Sequence, residues 1–167
     1  CSQVPPAYGG AGQQAMALST RLAEAGEEVT VISENQLDAS RSELIAGVRV
    51  LRLNSRLPFL SRDALGRSSE VLRSIWFCLW IVFRLSRTRY DVVHVHGSYW
   101  YSVAAALMAR IRRIPLIVKV TRLGEDDAGT VAGKCIGPVP IGKLYGFALS
   151  NASVTIALSQ EIAERQK

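Results

Sequence analysis

The chain has 167 residues, of which 49% are hydrophobic, so it is long enough to form one domain with a substantial buried core. Its net charge of +6 favours acidic partners, such as phosphorylated ligands or an anionic membrane surface. The basic residues are spread along the chain and form no run interleaved with aromatic residues, which argues against nucleic acid as a partner.

The first distinctive stretch is Pro5–Gly12, in which two prolines precede Gly9, Gly10 and Gly12. Apolar residues then recur with helical spacing until Gly26, so a helix is predicted to begin at the glycines. The free N–H groups and the positive dipole end of such a helix attract anions, and glycine lets a diphosphate or a carboxylate approach closely. The alternative is a tight turn in which the glycines serve only to adopt positive φ.

Strands and helices alternate along the rest of the chain. We predict strands at residues 28–33, 48–53, 90–97, 115–120 and 153–158, with helices at residues 68–87, 102–113 and 142–150. The second of these strands alternates with arginines and is placed near an edge, residues 34–46 are irregular, and residues 121–142 form a long loop. Ser159 is the expected N-cap of a last helix. The order predicts an α/β fold, namely a single-domain, Rossmann-like, doubly wound parallel sheet.

The helix at residues 68–87 has a centre, residues 75–83, that is apolar on every side. This run is far shorter than the roughly 20 residues of a membrane span. Two interpretations remain open: a helix buried against the sheet, or a helix that also contacts a membrane surface through Trp76 and Trp80. In the second, Arg73 and Arg84 would meet lipid phosphates.

In doubly wound sheets, ligands bind beyond the carboxyl ends of the strands. This rule selects His96, which lies at the end of its strand on the same face as His94. We interpret His94 as a hydrogen-bonded core residue and His96 as a candidate ligand contact. Metal binding is not expected, because no third ligand has useful spacing.

The same rule selects the residues that follow the next strand. Lys119 is a cation within an apolar strand, and a buried ammonium group requires a partner. One alternative is a solvated acidic turn beside a lysine whose side chain reaches the rim of the ligand crevice. The other is a polar cluster that binds substrate hydroxyl groups. The candidates of the second interpretation are Lys119, Thr121, Arg122, Asp126 and Asp127.

The three cysteines are Cys1, Cys78 and Cys135. An odd number at wide spacing indicates neither a disulfide framework nor a zinc site. We therefore expect a reducing, cytoplasmic location, with peripheral association at the inner face of the plasma membrane as an extension.

Several motifs, in this order and spacing, resemble the N-terminal domain of the family 4 glycosyltransferases of GT-B fold. They are Pro-Pro-x-x-Gly-Gly-Ala-Gly, Glu-Val-Thr-Val-Ile, Gly-Val-Arg-Val, Tyr-Asp-Val-Val-His-Val-His-Gly, Pro-Leu-Ile-Val-Lys-Val-Thr with Gly-Glu-Asp-Asp, and Thr-Ile-Ala-Leu-Ser-Gln-Glu. The resemblance covers almost the whole chain, residues 1–167.

The resemblance implies half of a two-domain retaining enzyme that transfers a sugar from a nucleotide sugar, with no cofactor and no obligatory metal. This domain would hold the acceptor, a glycan or a lipid-linked molecule of cell-envelope or polysaccharide biosynthesis. The absent C-terminal domain would hold most of the donor, whose phosphates would approach Gly9, Gly10 and Gly12. The catalytic residues are left unassigned, and the fragment alone is expected to be inactive.

The chain departs from the family pattern at three points. Thr121 stands where many members carry a histidine, so no histidine role is transferred. The second domain, with its Glu-x7-Glu motif, is missing. The central first strand is also expected to be missing from this chain, because the family's strand ends at the glycine loop and here only Cys1–Val4 precede the prolines. We expect a hydrophobic strand upstream of Cys1 in the natural protein, and in this chain we expect its slot to be empty, filled by another chain, or closed by rearrangement. Direct pairing of residues 28–33 with residues 92–95 would count against an empty or filled slot.

Two other functions compete with this one. A dinucleotide-dependent oxidoreductase would use Glu34, roughly 20 residues past the glycines, to bind a ribose. Its glycine spacing and preceding strand are, however, not those of the dinucleotide-binding fingerprint. The other is a non-catalytic module of the same fold that recruits a membrane or a partner.

Overall fold

The computed structural model describes residues 1, 4–6, 9–35, 39–54, 62–97, 99–121, 133 and 142–164, with residues 62–70 described as helical backbone. The chain divides into two compact units, residues 1–77 and residues 78–167. Each unit combines helices with a three-stranded sheet. The predicted α/β, Rossmann-like fold is therefore confirmed.

The first unit contains helix α1 (Gly10–Glu24) and strands β1 (Thr30–Asn35), β2 (Ser42–Ile45) and β3 (Val48–Asn54). The strand order is β1-β3-β2, with β1 parallel and β2 antiparallel to β3. β2 and β3 form a hairpin because Ala46 and Gly47 both adopt positive φ, as a two-residue hairpin turn requires.

This hairpin corrects three predictions. Residues 34–46 were expected to be irregular, but they contain β2, whose side chains are mostly exposed and therefore give little apolar alternation. Residues 48–53 were expected near an edge, but β3 lies between the other two strands of its sheet. A parallel sheet was also expected, whereas the short antiparallel β2 makes this one mixed.

The core of the first unit is built from one face of each element. Val31 on β1 and Val48 and Val50 on β3 pack with Met16 of α1 and with Val4. Since Val4 is 2% exposed, the segment that enters the glycine stretch is anchored in this core.

β1 is one of the two strands that were expected to flank the missing central strand. The Cys1 amino group donates a hydrogen bond to the Ile32 carbonyl oxygen at 3.4 Å. Among the described strands, β1 pairs with β3 and β4 (Val93–His96) pairs with β5 (Leu116–Val120), in separate sheets. Among the described strands, residues 28–33 do not pair directly with residues 92–95. A hydrophobic strand upstream of Cys1 stays a prediction.

The second unit contains β4, helix α3 (Trp100–Arg112), β5, helix α4 (Gly142–Ser150), strand β6 (Val154–Ala157) and helix α5 (Gln160–Glu164). The three strands are parallel, as predicted, and lie in the order β4-β5-β6. Ser159 accepts a hydrogen bond from the Ile162 amide at its Oγ, 3.2 Å, which confirms the predicted N-cap.

The sheet of the second unit has two chemically different faces. Leu116, Val118 and Val120 alternate along β5 and are each at most 1% exposed. The intervening residues of β5, Ile117 and Lys119, are only partly buried. Since paired residues of neighbouring parallel strands share a face, the apolar face packs into the core and the other face carries the polar side chains.

Helix α2 (Arg62–Arg87) joins the two units. Phe77, Ile81 and Leu85 lie four residues apart and are buried. Several other apolar residues of this helix are exposed, among them Leu79 at 56% and Phe83 at 50%, whereas Trp80 and Val82 are partly buried. The centre of this helix is therefore apolar all round but only one of its faces is buried. In the described part of the chain, no helix is both long enough and apolar enough to cross a membrane.

Candidate functional site

The glycine stretch forms the N-terminus of α1. Gly9 is the N-cap residue with φ −163° and ψ 138°, and Gly10 is the first helical residue. Within the described residues, no side-chain hydrogen bond caps this end, and the first turn contains no acidic residue. A Cβ atom built on Gly10 would meet no atom within 4 Å, so there is open space beside the backbone.

These glycines do not serve the alternative role of a positive-φ turn. Gly9 is extended, Gly10 and Gly12 are helical, and positive φ among the described glycines occurs at other positions. An uncapped helix start next to open space is a site at which an anion can approach the backbone N–H groups.

A buried arginine supports the segment in front of the glycines. Arg52, on β3, is 3% exposed and donates from Nη2 to the Pro5 carbonyl oxygen at 2.6 Å. Its Nη1 donates to the Ser40 carbonyl oxygen at 3.0 Å and to Oε2 of Glu43 at 2.7 Å. The sequence analysis missed this residue, although alternation along β3 places Arg52 on the same inward face as Val48 and Val50.

Glu34, the acid of the oxidoreductase alternative, lies near the carboxyl end of β1. Its carboxylate forms an ion pair with Nη2 of Arg73 at 3.5 Å. Burial raises the pKa of Glu34, and the Arg73 charge opposes this shift. The carboxylate is already engaged, which does not favour a role in holding a ribose.

In the second unit, His94 and His96 contact each other. Their ring centroids lie 4.3 Å apart, which confirms that the two residues share one face of β4. His96 is 5% exposed, whereas His94 is only partly buried. Within the described residues, Nε2 of His94 and Nδ1 of His96 are buried without a hydrogen-bond partner, so the prediction that His94 is hydrogen-bonded is not supported at Nε2.

Lys119 lies on the strand next to the histidines. It is the register partner of His96 in the β4–β5 ladder, so the two side chains share the polar face. Thr121 follows β5 directly and is partly buried. The other acceptor-side candidates, Arg122, Asp126 and Asp127, lie outside the described residues, as does Glu125.

Burial and positive neighbours keep the histidines neutral. Burial is the main cause that lowers the pKa of His96 to about 3, and the charges of His94 and Lys119 add to it. Burial and Lys119 also lower the pKa of His94. At neutral pH each ring therefore offers one N–H donor and one acceptor nitrogen, which suits hydrogen bonds to hydroxyl groups.

Gly97 determines the shape of the turn that follows β4. Gly97 has φ +88°, and a Cβ atom there would lie 2.7 Å from Cε2 of Tyr99. The Tyr101 hydroxyl donates to the His96 carbonyl oxygen at 2.7 Å, and the Gly97 amide donates to the Lys119 carbonyl oxygen at 2.8 Å. The end of β4 is therefore held from both α3 and β5.

A metal centre has no visible ligand set in the described ranges. No three His, Cys, Asp or Glu side chains gather there in an arrangement that could bind a metal ion. The two histidines are the nearest approach to one, and Lys119 is no ligand while protonated.

Comparison with known proteins now assigns the chain to a family. A search among curated proteins returned no match. The model of the glycosyl transferase 4-like domain matches residues 9–166, which is almost the whole chain. That range begins at Gly9 and includes both the glycine turn and the histidine strand. This chain belongs to the glycosyltransferase 4-like domain family.

Proposed function

We propose that this chain is the acceptor-side domain of a retaining glycosyltransferase of hexosyltransferase type. The donor is a nucleotide sugar, which is a substrate, and no cofactor is needed. The acceptor is a glycan or a lipid-linked molecule of cell-envelope or polysaccharide synthesis. A second domain, outside this chain, supplies the nucleotide pocket.

The observation that carries the proposal is the uncapped start of α1. Gly9 and Gly10 lead into the helix without a side-chain cap, and the space beside Gly10 is open. A diphosphate placed there would accept hydrogen bonds from backbone N–H groups and interact with the positive helix dipole. Such contacts would stabilise the nucleotide diphosphate as it leaves the transferred sugar.

The polar face of the second unit supports an acceptor role. His96 and Lys119 are register partners, and the neutral His96 ring has a buried Nδ1 without a partner within the described residues. Thr121 lies at the carboxyl end of the adjacent strand. We assign these side chains to hydroxyl groups of the acceptor and extend the assignment to Arg122, Asp126 and Asp127 on the basis of sequence position.

An anionic membrane surface is a further proposed partner, which fits a cytoplasmic enzyme acting at the inner face of the plasma membrane. Leu79 and Phe83 of α2 are about half exposed, and Trp76 is 42% exposed. The Arg87 guanidinium lies 5.0 Å from the centroid of the Phe83 ring. Exposed apolar side chains beside arginines are typical of helices that lie in a membrane interface.

The proposal is tested by separating donor from acceptor kinetics in the complete natural protein. Gly10→Val should block phosphate approach and raise the donor KM or lower kcat, with the acceptor KM unchanged. The matched control is Gly146→Val on α4, because a Cβ atom on Gly146 also meets nothing within 4 Å. Equal effects of the two variants would contradict the donor site at Gly10.

The acceptor side is tested in the same assay with Lys119→Met. Loss of a charged hydrogen-bonding group should raise the acceptor KM on the order of tenfold and leave the donor KM unchanged. An unchanged acceptor KM would show that Lys119 is only structural. If the complete protein transfers no sugar from any nucleotide sugar, the alternative of a non-catalytic module of this fold is favoured.

A further inference from the structure

The inward face of the first unit changes from apolar to polar along the strands. Val31 and Val50 are register partners in the apolar core, and two residues further on Ser33 pairs with Arg52. Ser33 is 0% and Arg52 is 3% exposed. The polar part of this face therefore lies toward the carboxyl ends of the two parallel strands, the end of such a sheet at which ligands bind.

A fully buried guanidinium is costly unless its charge and its donors are paired. Glu43 on β2 supplies the opposite charge at 2.7 Å. The other partners of Nη1 and Nη2 are the backbone carbonyl oxygens of Ser40 and Pro5, at 3.0 and 2.6 Å, whereas Nε is buried without a partner among the described residues. The Arg52 amide also donates to the Arg41 carbonyl oxygen at 2.8 Å. Arg52 thus connects three separate segments of the chain.

One of these segments leads directly into the glycine turn. Pro5 lies 47 residues from Arg52 in sequence and four residues before Gly9. Val4 is buried in the core immediately before Pro5, so the chain is held at two successive residues as it approaches α1. Arg52 reaches this segment with a short charge-assisted hydrogen bond, which fixes direction as well as distance.

We propose that Arg52 is a positioning residue for donor binding. Its guanidinium holds the Pro5 carbonyl and thereby orients the backbone N–H groups at Gly9 and Gly10 toward the donor diphosphate. Glu43 orients the guanidinium through its contact with Nη1. The inference rests on the proposed function, because it gives Arg52 a role in the site formed by the glycine turn.

The test compares three variants of the complete natural protein by steady-state kinetics. Arg52→Lys keeps the charge, but a single ammonium group cannot reproduce the planar fork that reaches Pro5, Ser40 and Glu43. Its donor KM should rise on the order of tenfold with the acceptor KM unchanged. Glu43→Gln keeps an acceptor oxygen but removes the charge, and should shift the donor KM in the same direction by a smaller factor.

Arg49→Lys is the matched control, because Arg49 lies on the same strand with its side chain exposed. It should leave both KM values unchanged. A purely structural role for Arg52 would lower the melting temperature and the active fraction, and would reduce kcat without a donor-specific rise in KM. That result overturns the proposal.

If Arg52→Lys does not fold, Glu43→Gln alone tests the positioning role. An unchanged donor KM in Glu43→Gln also overturns the proposal. The Gly10→Val variant separates this proposal from the proposed function. If Gly10→Val impairs donor use and the Arg52 and Glu43 variants do not, the positioning role fails and the donor site stands. If Gly10→Val behaves like its Gly146→Val control, the donor site itself fails.

Discussion

At the residue scale, the proposed functions depend mainly on two buried polar residues, Arg52 and His96. Burying a charge or a hydrogen-bonding atom is unfavourable unless partners replace water. Arg52 has such partners in Glu43 and two carbonyl oxygens. His96 avoids the cost in another way, since burial lowers its pKa to about 3 and keeps the ring neutral. Arg52 therefore orders the backbone, whereas the neutral His96 ring is able to form hydrogen bonds with a hydroxyl group.

The neutral state of His96 predicts a pH dependence of stability. Its pKa is about 3 in the folded protein against 6.5 as the ordinary value, so the unfolded chain binds the proton first as the pH falls. The contribution of His96 to the free energy of unfolding should therefore be constant above pH 6.5 and should decrease between pH 6.5 and 3. Urea denaturation of the wild type and of His96→Asn at pH 7.5 and pH 4.5 measures this.

The difference in free energy of unfolding between wild type and variant should fall at the lower pH. Titrating groups that do not act on the pKa of His96 are common to both proteins and cancel in that difference. A difference that is the same at both pH values would contradict the buried, neutral state of the ring.

At the element scale, α2 shows how one helix can serve two environments. The centre of α2 has no polar face, so the spacing of its apolar residues does not indicate which side is buried. The structure buries Phe77, Ile81 and Leu85 and leaves Leu79 and Phe83 exposed. An unburied apolar face of this kind is unusual on a protein surface, and it is the basis of the proposed membrane contact.

The exposed face of α2 predicts binding to anionic lipid vesicles. Cosedimentation should detect binding at low ionic strength that weakens as salt screens the arginines. The pair Leu79→Ser with Phe83→Ser should remove it. The control pair is Leu107→Ser with Ile111→Ser on α3, whose residues are 44% and 62% exposed. Equal binding by wild type and the Leu79/Phe83 variant would exclude this face as the membrane contact.

At the scale of the whole molecule, the proposed phosphate contacts at Gly9 and Gly10 account for only the diphosphate of a nucleotide sugar. A few backbone N–H groups contribute only part of the affinity for a nucleotide sugar, because the base and the ribose bring most of the recognisable surface. The family assignment implies a sugar donor and an acceptor in general terms. The proposed division places the donor's nucleotide largely on another domain.

This division predicts that the 167-residue chain by itself is catalytically silent and binds nucleotide sugars weakly. Isothermal titration with UDP- and GDP-sugars should give no measurable heat at micromolar protein concentration, whereas the complete natural protein should bind one of them. Tight binding by the isolated chain would overturn the division of labour, and would place the nucleotide pocket within these residues.

The sequence by itself determined the class of fold and the family, because alternating strands, helical periodicity and glycine placement are local signals. It located the start of α1, the histidine strand and the Ser159 cap to within a few residues. It did not find β2 or the inner position of β3, because a short, exposed strand has little apolar pattern and strand order depends on distant partners.

The tertiary structure decided which polar residues are buried and what they contact. Alternation places Arg52 on an inward face, but its bond to Pro5 spans 47 residues, and no local pattern encodes such a contact. The same holds for the ion pair that engages Glu34 and for the choice of the buried face of α2. Local propensity acts over a few residues, whereas burial and pairing of charges depend on neighbours brought together only by folding.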